Sequence, residues 1–237
     1  MHLSKNGIQP ASSKVKAVKD FKEPKNPTEV RSFLGFVTFV SRFIPRLADI
    51  ALPLRRLTQK NREWRWSTEE QQSFAKIKEL VTKETTLVFF DTKLHTELVV
   101  DASPAGVGAI LSQIQQDGKV RPVAYASRAL TAVETRYSQT EREALSIKYG
   151  CLKFFHYLSG DSGFTVVTDH KPLVEMFKPH ARPPPRIERM ALRIQDLRFQ
   201  VVYRTGANNP SDILSRQPLN ENNCAFQELK QPSLDLL

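Results

Sequence analysis

The sequence is poor in cysteine and lacks a long apolar segment. Its two cysteines, Cys151 and Cys224, are too few for a disulfide framework. The N-terminus lacks the apolar stretch of a secretory signal, and the longest apolar run, residues 33–40, lies between Arg31 and Arg42. We therefore expect a protein of a reducing compartment, cytoplasmic or nuclear and not secreted, with no membrane span. No internal repeat is visible, which argues against a repeat architecture.

The chain is strongly basic. The chain of 237 residues carries a net charge of +10, from 35 Lys and Arg spread along its length. Such a field suits a polyanion partner, most simply nucleic acid, although a basic protein without a polyanion ligand fits the charge as well. The length allows one domain of ordinary size and a smaller companion.

The first 60-odd residues have the pattern of a small helical unit. Asn6-Gly7 signals a turn, and a short helix is expected over residues 12–21. Asn26, Pro27 and Glu29 have the spacing of a helix start, which predicts a helix to about Ile44. A leucine-rich stretch, residues 47–57, follows, and a capping box at Ser67–Glu70 then predicts a helix that joins the two parts of the chain.

From Glu97 onward the period changes to that of strands. Three strands in a meander are expected over residues 97–128, with a turn at 116–119. The later elements are expected to be a long helix at 139–158, a buried strand at 164–168, helices at 171–177 and 186–197, a final strand at 199–203 and a helix turn at 210–215. This order predicts an α/β fold in which a mixed sheet is flanked by helices.

Four acidic residues occupy unusual settings. Asp101 ends an apolar strand, and Asp169 follows a buried strand, so both would face the sheet edge where α/β proteins place ligands. Glu143 lies in the first turns of the long helix and Asp212 begins a helix turn, where carboxylates also serve as caps or complement the helix dipole. Each residue alone has an ordinary structural interpretation, and only together do the four suggest a site.

Carboxylates that converge repel one another unless divalent cations neutralise them. Oxygen ligands favour Mg²⁺ or Mn²⁺ over Zn²⁺. Two such ions about 4 Å apart can activate a water and stabilise the departing oxygen of a phosphodiester. The four residues therefore indicate metal-dependent phosphodiester hydrolysis.

Seven ordered motifs resemble the gypsy-type LTR retrotransposon Pol polyprotein, over about residues 5–218. They are SFLG (32–35), VDAS (100–103), GVGAILSQ (106–113), PVAYASR (122–128), YSQTEREAL (137–145), TDHKPL (168–173) and DILSR (212–216). The resemblance implies the end of the reverse transcriptase palm and a helical thumb at 1–65, a connection at 66–96, an RNase H-like domain at 97–216 and a disordered tail at 217–237. The palm's polymerase motif and the fingers would belong to upstream reverse transcriptase domains of the polyprotein, so this chain cannot polymerise alone.

The resemblance also implies the reaction and its residues. Asp101, Glu143, Asp169 and Asp212 match the family's carboxylates, and Glu143 is preferred to Glu141 because it directly precedes the Ala-Leu pair of the motif. They would hold two Mg²⁺ ions, with Mn²⁺ as an alternative, Asp101 bridging both. The expected reaction is endonucleolytic cleavage of the RNA strand of an RNA:DNA hybrid, recognised through 2′-hydroxyl and phosphate contacts in the minor groove.

Two positions depart from the family pattern, and one residue of many cellular enzymes is missing. Val100 replaces the usual threonine before the first aspartate, and Ser211 replaces the usual alanine before the last; neither removes a ligand. The loop histidine of many cellular ribonucleases H is missing from residues 203–209, which leaves Tyr203 or a water as a substitute.

Two other interpretations remain open. The chain could be a non-catalytic nucleic-acid-binding remnant that binds hybrid without cutting it. Alternatively, the chain is a piece of a longer polyprotein. RNA-directed DNA polymerase activity would then be assigned to the piece although the piece lacks it. The complete set of four carboxylates favours an active nuclease over the remnant.

Overall fold

The structure is a computed structural model that describes residues 1–5, 7–83, 86–160 and 163–205. The strands are β1 (His2–Ser4), β2 (Gly7–Gln9), β3 (Thr96–Ala102), β4 (Gly106–Ile114), β5 (Val120–Ala129), β6 (Phe164–Thr168) and β7 (Phe199–Tyr203). The α-helices are α1 (Ser12–Lys19), α2 (Pro27–Val40), α3 (Leu47–Ile50), α4 (Leu52–Leu57), α5 (Thr68–Thr82), α6 (Gln139–Lys153), α7 (Phe155–Leu158), α8 (Pro172–Met176) and α9 (Pro185–Leu192). Short 3₁₀ turns cover Ser41–Phe43 and Glu134–Arg136.

The main sheet has five strands in the order β5-β4-β3-β6-β7, and β1 and β2 form a separate hairpin. The strands β3, β4 and β5 make the predicted antiparallel meander, whereas β6 lies parallel to β3 and β7 parallel to β6. The prediction of a mixed sheet flanked by helices is confirmed. Val99 of β3 pairs with Val167 of β6, and Asp101 and Asp169 each lie two residues further along the chain from this pair.

Each face of the sheet is covered by a different group of helices. Leu98 and Val100 of β3 pack with α6, α8 and α9 on one face. Val99, the residue between them, points to the opposite face. There it belongs to a second core, together with Phe33 of α2 and Leu54 of α4. This alternation follows from the two-residue period of a strand. The helices α1–α5, called the helical unit below, therefore pack on this second face of the sheet.

Three helices of the described chain begin at a side-chain cap. Asn26 accepts a hydrogen bond from the Glu29 amide at the start of α2, as the sequence predicted. The predicted capping box at Ser67 and Glu70 starts α5, and a second box at Ser138 and Glu141 starts α6. These bonds fix where α6 begins, and hence which of its residues turn toward the sheet.

Three helices differ from their predicted length. The helix expected to reach about Ile44 ends at Val40 and is followed by the 3₁₀ turn Ser41–Phe43. The expected helix at 139–158 is divided at Phe154, whose backbone departs from helical values (φ −104°, ψ 19°) while its side chain is buried. The helix expected at 186–197 ends at Leu192, because Ile194 and Leu197 then bond three residues back instead of four. Both remain buried, which explains why the apolar pattern extends beyond the helix. The helix turn expected at 210–215 and the tail at 217–237 lie outside the described residues.

Candidate metal centre

Three of the four predicted acidic residues meet at one edge of the sheet. Asp101 lies near the end of β3, Glu143 in the first turns of α6, and Asp169 directly after β6. One carboxylate oxygen from each lies within 4.8 Å of the others. Oxygens that share one Mg²⁺ at about 2.1 Å are about 3–4 Å apart, so small side-chain adjustments suffice for binding. Asp212, the fourth predicted residue, lies outside the described part of the chain.

The placement of Glu143 depends on how closely α6 approaches the sheet. At Gly150 of α6, an added Cβ would lie 3.0 Å from Ala109 Cβ and 3.2 Å from two methyl carbons of Leu98. A side chain at this position would push the helix away from the strand that carries Asp101. The glycine therefore allows α6 to carry Glu143 into the cluster, where its side chain is only 2% exposed.

Glu141, the alternative to Glu143, has a structural role. Its carboxylate accepts hydrogen bonds from the Ser138 amide and hydroxyl in the capping box, and it forms an ion pair with Arg186. Glu141 is thus occupied at the helix start, whereas Glu143 lies beside Asp101 and Asp169. The assignment of Glu143 as a metal ligand stays a prediction.

The two oxygens of Glu143 have unequal surroundings. Gln139 donates a hydrogen bond of 2.6 Å from Nε2 to Oε1, and Arg142 in turn donates to Gln139. The other oxygen, Oε2, is buried and makes no hydrogen bond of normal geometry to a described residue, although the Ala102 amide is close enough to the carboxyl to lower its pKa. A buried carboxylate oxygen without a well-placed donor is costly unless a cation binds it. The residues therefore fit a bound divalent metal ion.

The pKa values of two carboxyls in the cluster, Glu143 and Asp101, are both raised. Burial raises the pKa of the Glu143 carboxyl to about 8, and the nearby Asp101 and Asp169 carboxylates add to the rise. Burial also raises the pKa of Asp101; Arg46 opposes this shift, while Asp169 and Asp49 increase it. A site that holds its acids close together and partly out of water favours a cation over several separate protons.

Sequence reasoning missed the neighbours of the carboxylates. Arg46 forms an ion pair with Asp101, and Gln139 holds one oxygen of Glu143. His170 Nε2 lies 3.0 Å from the Thr140 hydroxyl, which links the loop of Asp169 to the first turn of α6. Gln139, Thr140 and His170 stand inside two of the quoted motifs, so the motifs were a usable signal. Arg46 stands outside them and depends on how the helical unit docks.

Comparison with known proteins gives three findings. The sequence profile of the family described as an RNase H-like domain found in reverse transcriptase matches residues 66–166. The Tf2-3 and Tf2-4 transposon polyproteins of Schizosaccharomyces pombe are each 34% identical over 218 residues, which is 91% of this chain. These matches support the recognition of this chain as a fragment of a gypsy-type LTR retrotransposon Pol polyprotein. The chain spans 16% of the length of those curated relatives.

Solved structures show the same fold for this Pol chain. A foamy viral protease-reverse transcriptase in complex with RNA/DNA hybrid aligns with a TM-score of 0.66 at 19% identity, covering 99% of this chain and 31% of that one. A second foamy viral structure, in complex with double-stranded DNA, aligns with a TM-score of 0.67 at 20% identity and covers 85% of this chain and 36% of that one. The RNase H-like fold predicted from the sequence is confirmed. No helix of the described Pol residues has the length and apolar character that a bilayer crossing requires.

Proposed function

We propose that this chain hydrolyses the RNA strand of RNA:DNA hybrids endonucleolytically with divalent metal ions, as the RNase H part of a retrotransposon reverse transcriptase. The observation that carries the proposal is the cluster of Asp101, Glu143 and Asp169 with its unpartnered buried oxygen on Glu143. The net charge of +10 suits a nucleic acid substrate. The foamy viral relative in complex with RNA/DNA hybrid supports the choice of a hybrid.

The chain's residues would divide the work at the site. Asp101, which lies close to both other carboxylates, would hold both ions, and Glu143 and Asp169 would each hold one. Asp212 is proposed to complete the second ion's set of ligands. When bound, the ions supply an activated water and neutralise the charge that develops on the departing oxygen. Asp169 is exposed, so this side of the cluster is open for a phosphodiester backbone.

The substrate would be recognised mainly by its shape and backbone. Contacts to 2′-hydroxyls and phosphates across the minor groove distinguish a hybrid from duplex DNA without reading bases. We also propose that residues 1–65 represent the end of the palm and the thumb, that 66–96 form a connection, and that upstream domains of the polyprotein supply polymerisation.

Cleavage of a labelled RNA:DNA hybrid tests the proposal. Wild-type chain with Mg²⁺ is expected to cut the RNA strand and leave 3′-hydroxyl and 5′-phosphate ends. Asp169→Asn should lower the rate by about 10³-fold or more, since a lost metal ligand removes several kcal/mol of transition-state stabilisation. Asp196→Asn is the matched control, because Asp196 is an exposed aspartate outside the cluster.

Two results would contradict the proposal. Cleavage that persists in Asp169→Asn would place the chemistry elsewhere. Metal-independent binding of the hybrid without cleavage by the wild type would favour a non-catalytic binding remnant. The salt dependence of that binding would then report how many phosphates the basic surface engages.

Tyr203 is proposed to assist turnover in place of the missing loop histidine. It ends β7 opposite Thr168, the residue before Asp169, and its side chain is 45% exposed. Next to it, Arg204 donates two hydrogen bonds, of 2.8 and 3.1 Å, to the buried Glu97 and so anchors this end of β7. Tyr203 is therefore held beside the strand that leads to Asp169 and remains accessible.

Tyr203→Ala is expected to lower multiple-turnover cleavage about 10-fold, the lower end of what a residue supporting a metal site contributes. Tyr203→Phe separates the hydroxyl from the ring. Steady-state rates are compared with a single-turnover measurement, which should change less if product release is affected. Unchanged turnover in both variants would assign the role to water.

A further inference from the structure

Arg46 brings a fixed positive charge to the candidate metal centre from the helical unit. Its Nη1 atom lies 3.2 Å from Oδ2 of Asp101, and its Nε atom donates to Asp49 at 3.1 Å. Arg46 lies outside residues 66–166, the segment that matches the RNase H-like family. A side chain from another part of the chain thus contacts the carboxylate proposed to hold both ions.

The backbone conformation of Arg46 and the hydrogen bonds of its neighbours fix its position. Its backbone is in the left-handed region (φ 50°), which is uncommon for a residue with a side chain, and it directly precedes α3. Asp49, its second partner, accepts a hydrogen bond from the hydroxyl of Ser103, two residues after Asp101. The Ala48 amide donates to Ser127 Oγ at 3.0 Å. These bonds hold α3 against β5 and the end of β3.

A glycine in the sheet makes room for this helix. An added Cβ at Gly106 would lie 3.2 Å from both Ala48 Cβ and Asp49 Oδ1, and 3.0 Å from the Arg128 carbonyl oxygen. The neighbours must move to accept even a methyl group there. The contact between Arg46 and Asp101 can therefore be disturbed without changing either residue.

We propose that Arg46 is an internal counter-cation of Asp101 that a divalent metal ion must displace, so that the docking of α3 sets the metal affinity of the centre. The guanidinium cannot lose its charge. It competes with a cation for this carboxylate, because a guanidinium 3.2 Å from Asp101 Oδ2 and an ion bound there at about 2.1 Å repel each other. Asp49 would keep Arg46 paired after displacement. The inference rests on the proposed function for the presence of metal at this centre.

Metal titration of the whole chain tests this inference. Calorimetry with MgCl₂ at constant ionic strength is expected to give about two- to fivefold tighter binding for Arg46→Gln than for wild type, the range for breaking a partly exposed ion pair. Arg56→Gln is the matched control. It removes one charge from the same helical unit, where Arg56 faces Glu69 at 3.6 Å, and should leave the affinity unchanged.

Two further variants keep the test decisive if Arg46→Gln does not fold. Arg46→Lys retains the charge but lacks the planar fork that spans Asp101 and Asp49, so binding should tighten less. Gly106→Ala leaves Arg46 intact and displaces α3, and it should also tighten binding. Unchanged or weaker Mg²⁺ binding in these variants would overturn the inference.

Thermal unfolding provides a second measurement. If metal displaces Arg46, the variant Arg46→Gln should be destabilised in EDTA and much less destabilised in saturating MgCl₂. Linkage requires this, because a variant that binds the ion more tightly gains more stability from it. An equal loss in both conditions would mean that Arg46 is only structural and would overturn the inference. If wild type does not bind Mg²⁺, or if Asp101→Asn binds it equally well, the proposed function itself fails. If wild type binds and Arg46→Gln matches it, only this inference fails.

Discussion

Glu143→Gln is expected to abolish cleavage and, in a chelator at pH 9, to stabilise the fold. Burial raises the pKa of Glu143 to about 8, so the folded chain binds its proton more tightly than the unfolded chain. The stability contributed by the protonated form is complete below the unfolded pKa, near 4.5, and is lost as the pH rises through about 8. Wild-type stability without metal should therefore fall over this window.

The neutral amide of Glu143→Gln removes the part of this pH dependence that Glu143 contributes, and the raised pKa of Asp101 leaves a remainder. Above pH 8 the variant should be more stable than wild type by about 3–5 kcal/mol in EDTA, from the size of the pKa shift. Cleavage should fall by about 10³-fold or more because a metal ligand is lost. Chemical denaturation between pH 5 and pH 9 measures the first effect, and the hybrid assay measures the second.

Glu141→Gln is the matched control on the same helix. The Ser138 amide and Arg186 lower the pKa of Glu141, so its charged form stabilises the fold and its loss should be destabilising at neutral pH. Opposite signs for two glutamates two residues apart would identify Glu143 as the strained one. A destabilised Glu143→Gln in EDTA, or a wild-type stability that does not vary with pH, would contradict the interpretation.

Phe33→Ala is expected to lower the free energy of unfolding by about 3–5 kcal/mol, the usual cost of removing a buried phenylalanine. Phe33 has no exposed surface and packs against Phe74 and Phe21, with ring centres 4.6 and 5.3 Å away. Its core also contains Val99 and Val167 of the sheet. Loss of this side chain should therefore weaken the helical unit and the sheet together.

Phe39 provides the control for this substitution, since it lies on the same helix but is 72% exposed. Phe39→Ala should change stability by no more than about 0.5 kcal/mol, as expected for a surface position. Urea unfolding is followed by tryptophan fluorescence, which reports Trp64 and Trp66 of the helical part, and by circular dichroism of the whole chain. Two separate transitions in Phe33→Ala would contradict a shared core.

The sequence was informative wherever local chemistry decides the outcome. The capping residues Asn26 and Ser67 start helices because their bonds span only three residues, and the change of period at Glu97 marks the sheet. The apolar strand before Asp169 is fully buried, as its composition indicates. Motif order, and not spacing, was what joined the acidic residues into one predicted site.

The remainder depends on tertiary packing. Nothing near Arg46 in the sequence indicates that it reaches Asp101, because that contact requires α3 to dock beside Gly106. The break at Phe154 likewise reflects how one side chain is buried, while Leu152 and Phe155 on either side of it are exposed. The domain boundaries and the role of Asp212 stay predictions.

The parallel pairing of β3 with β6 has a consequence for how the molecule is assembled. Between these two neighbouring strands the chain makes β4, β5 and the whole of α6. Asp101 and Asp169 can therefore meet only after a long loop has closed, a step that is entropically costly and slow compared with forming the hairpins. During synthesis, the meander and α6 leave the ribosome before β6 does. Metal-binding capacity should thus appear late in folding, after most of the secondary structure has formed.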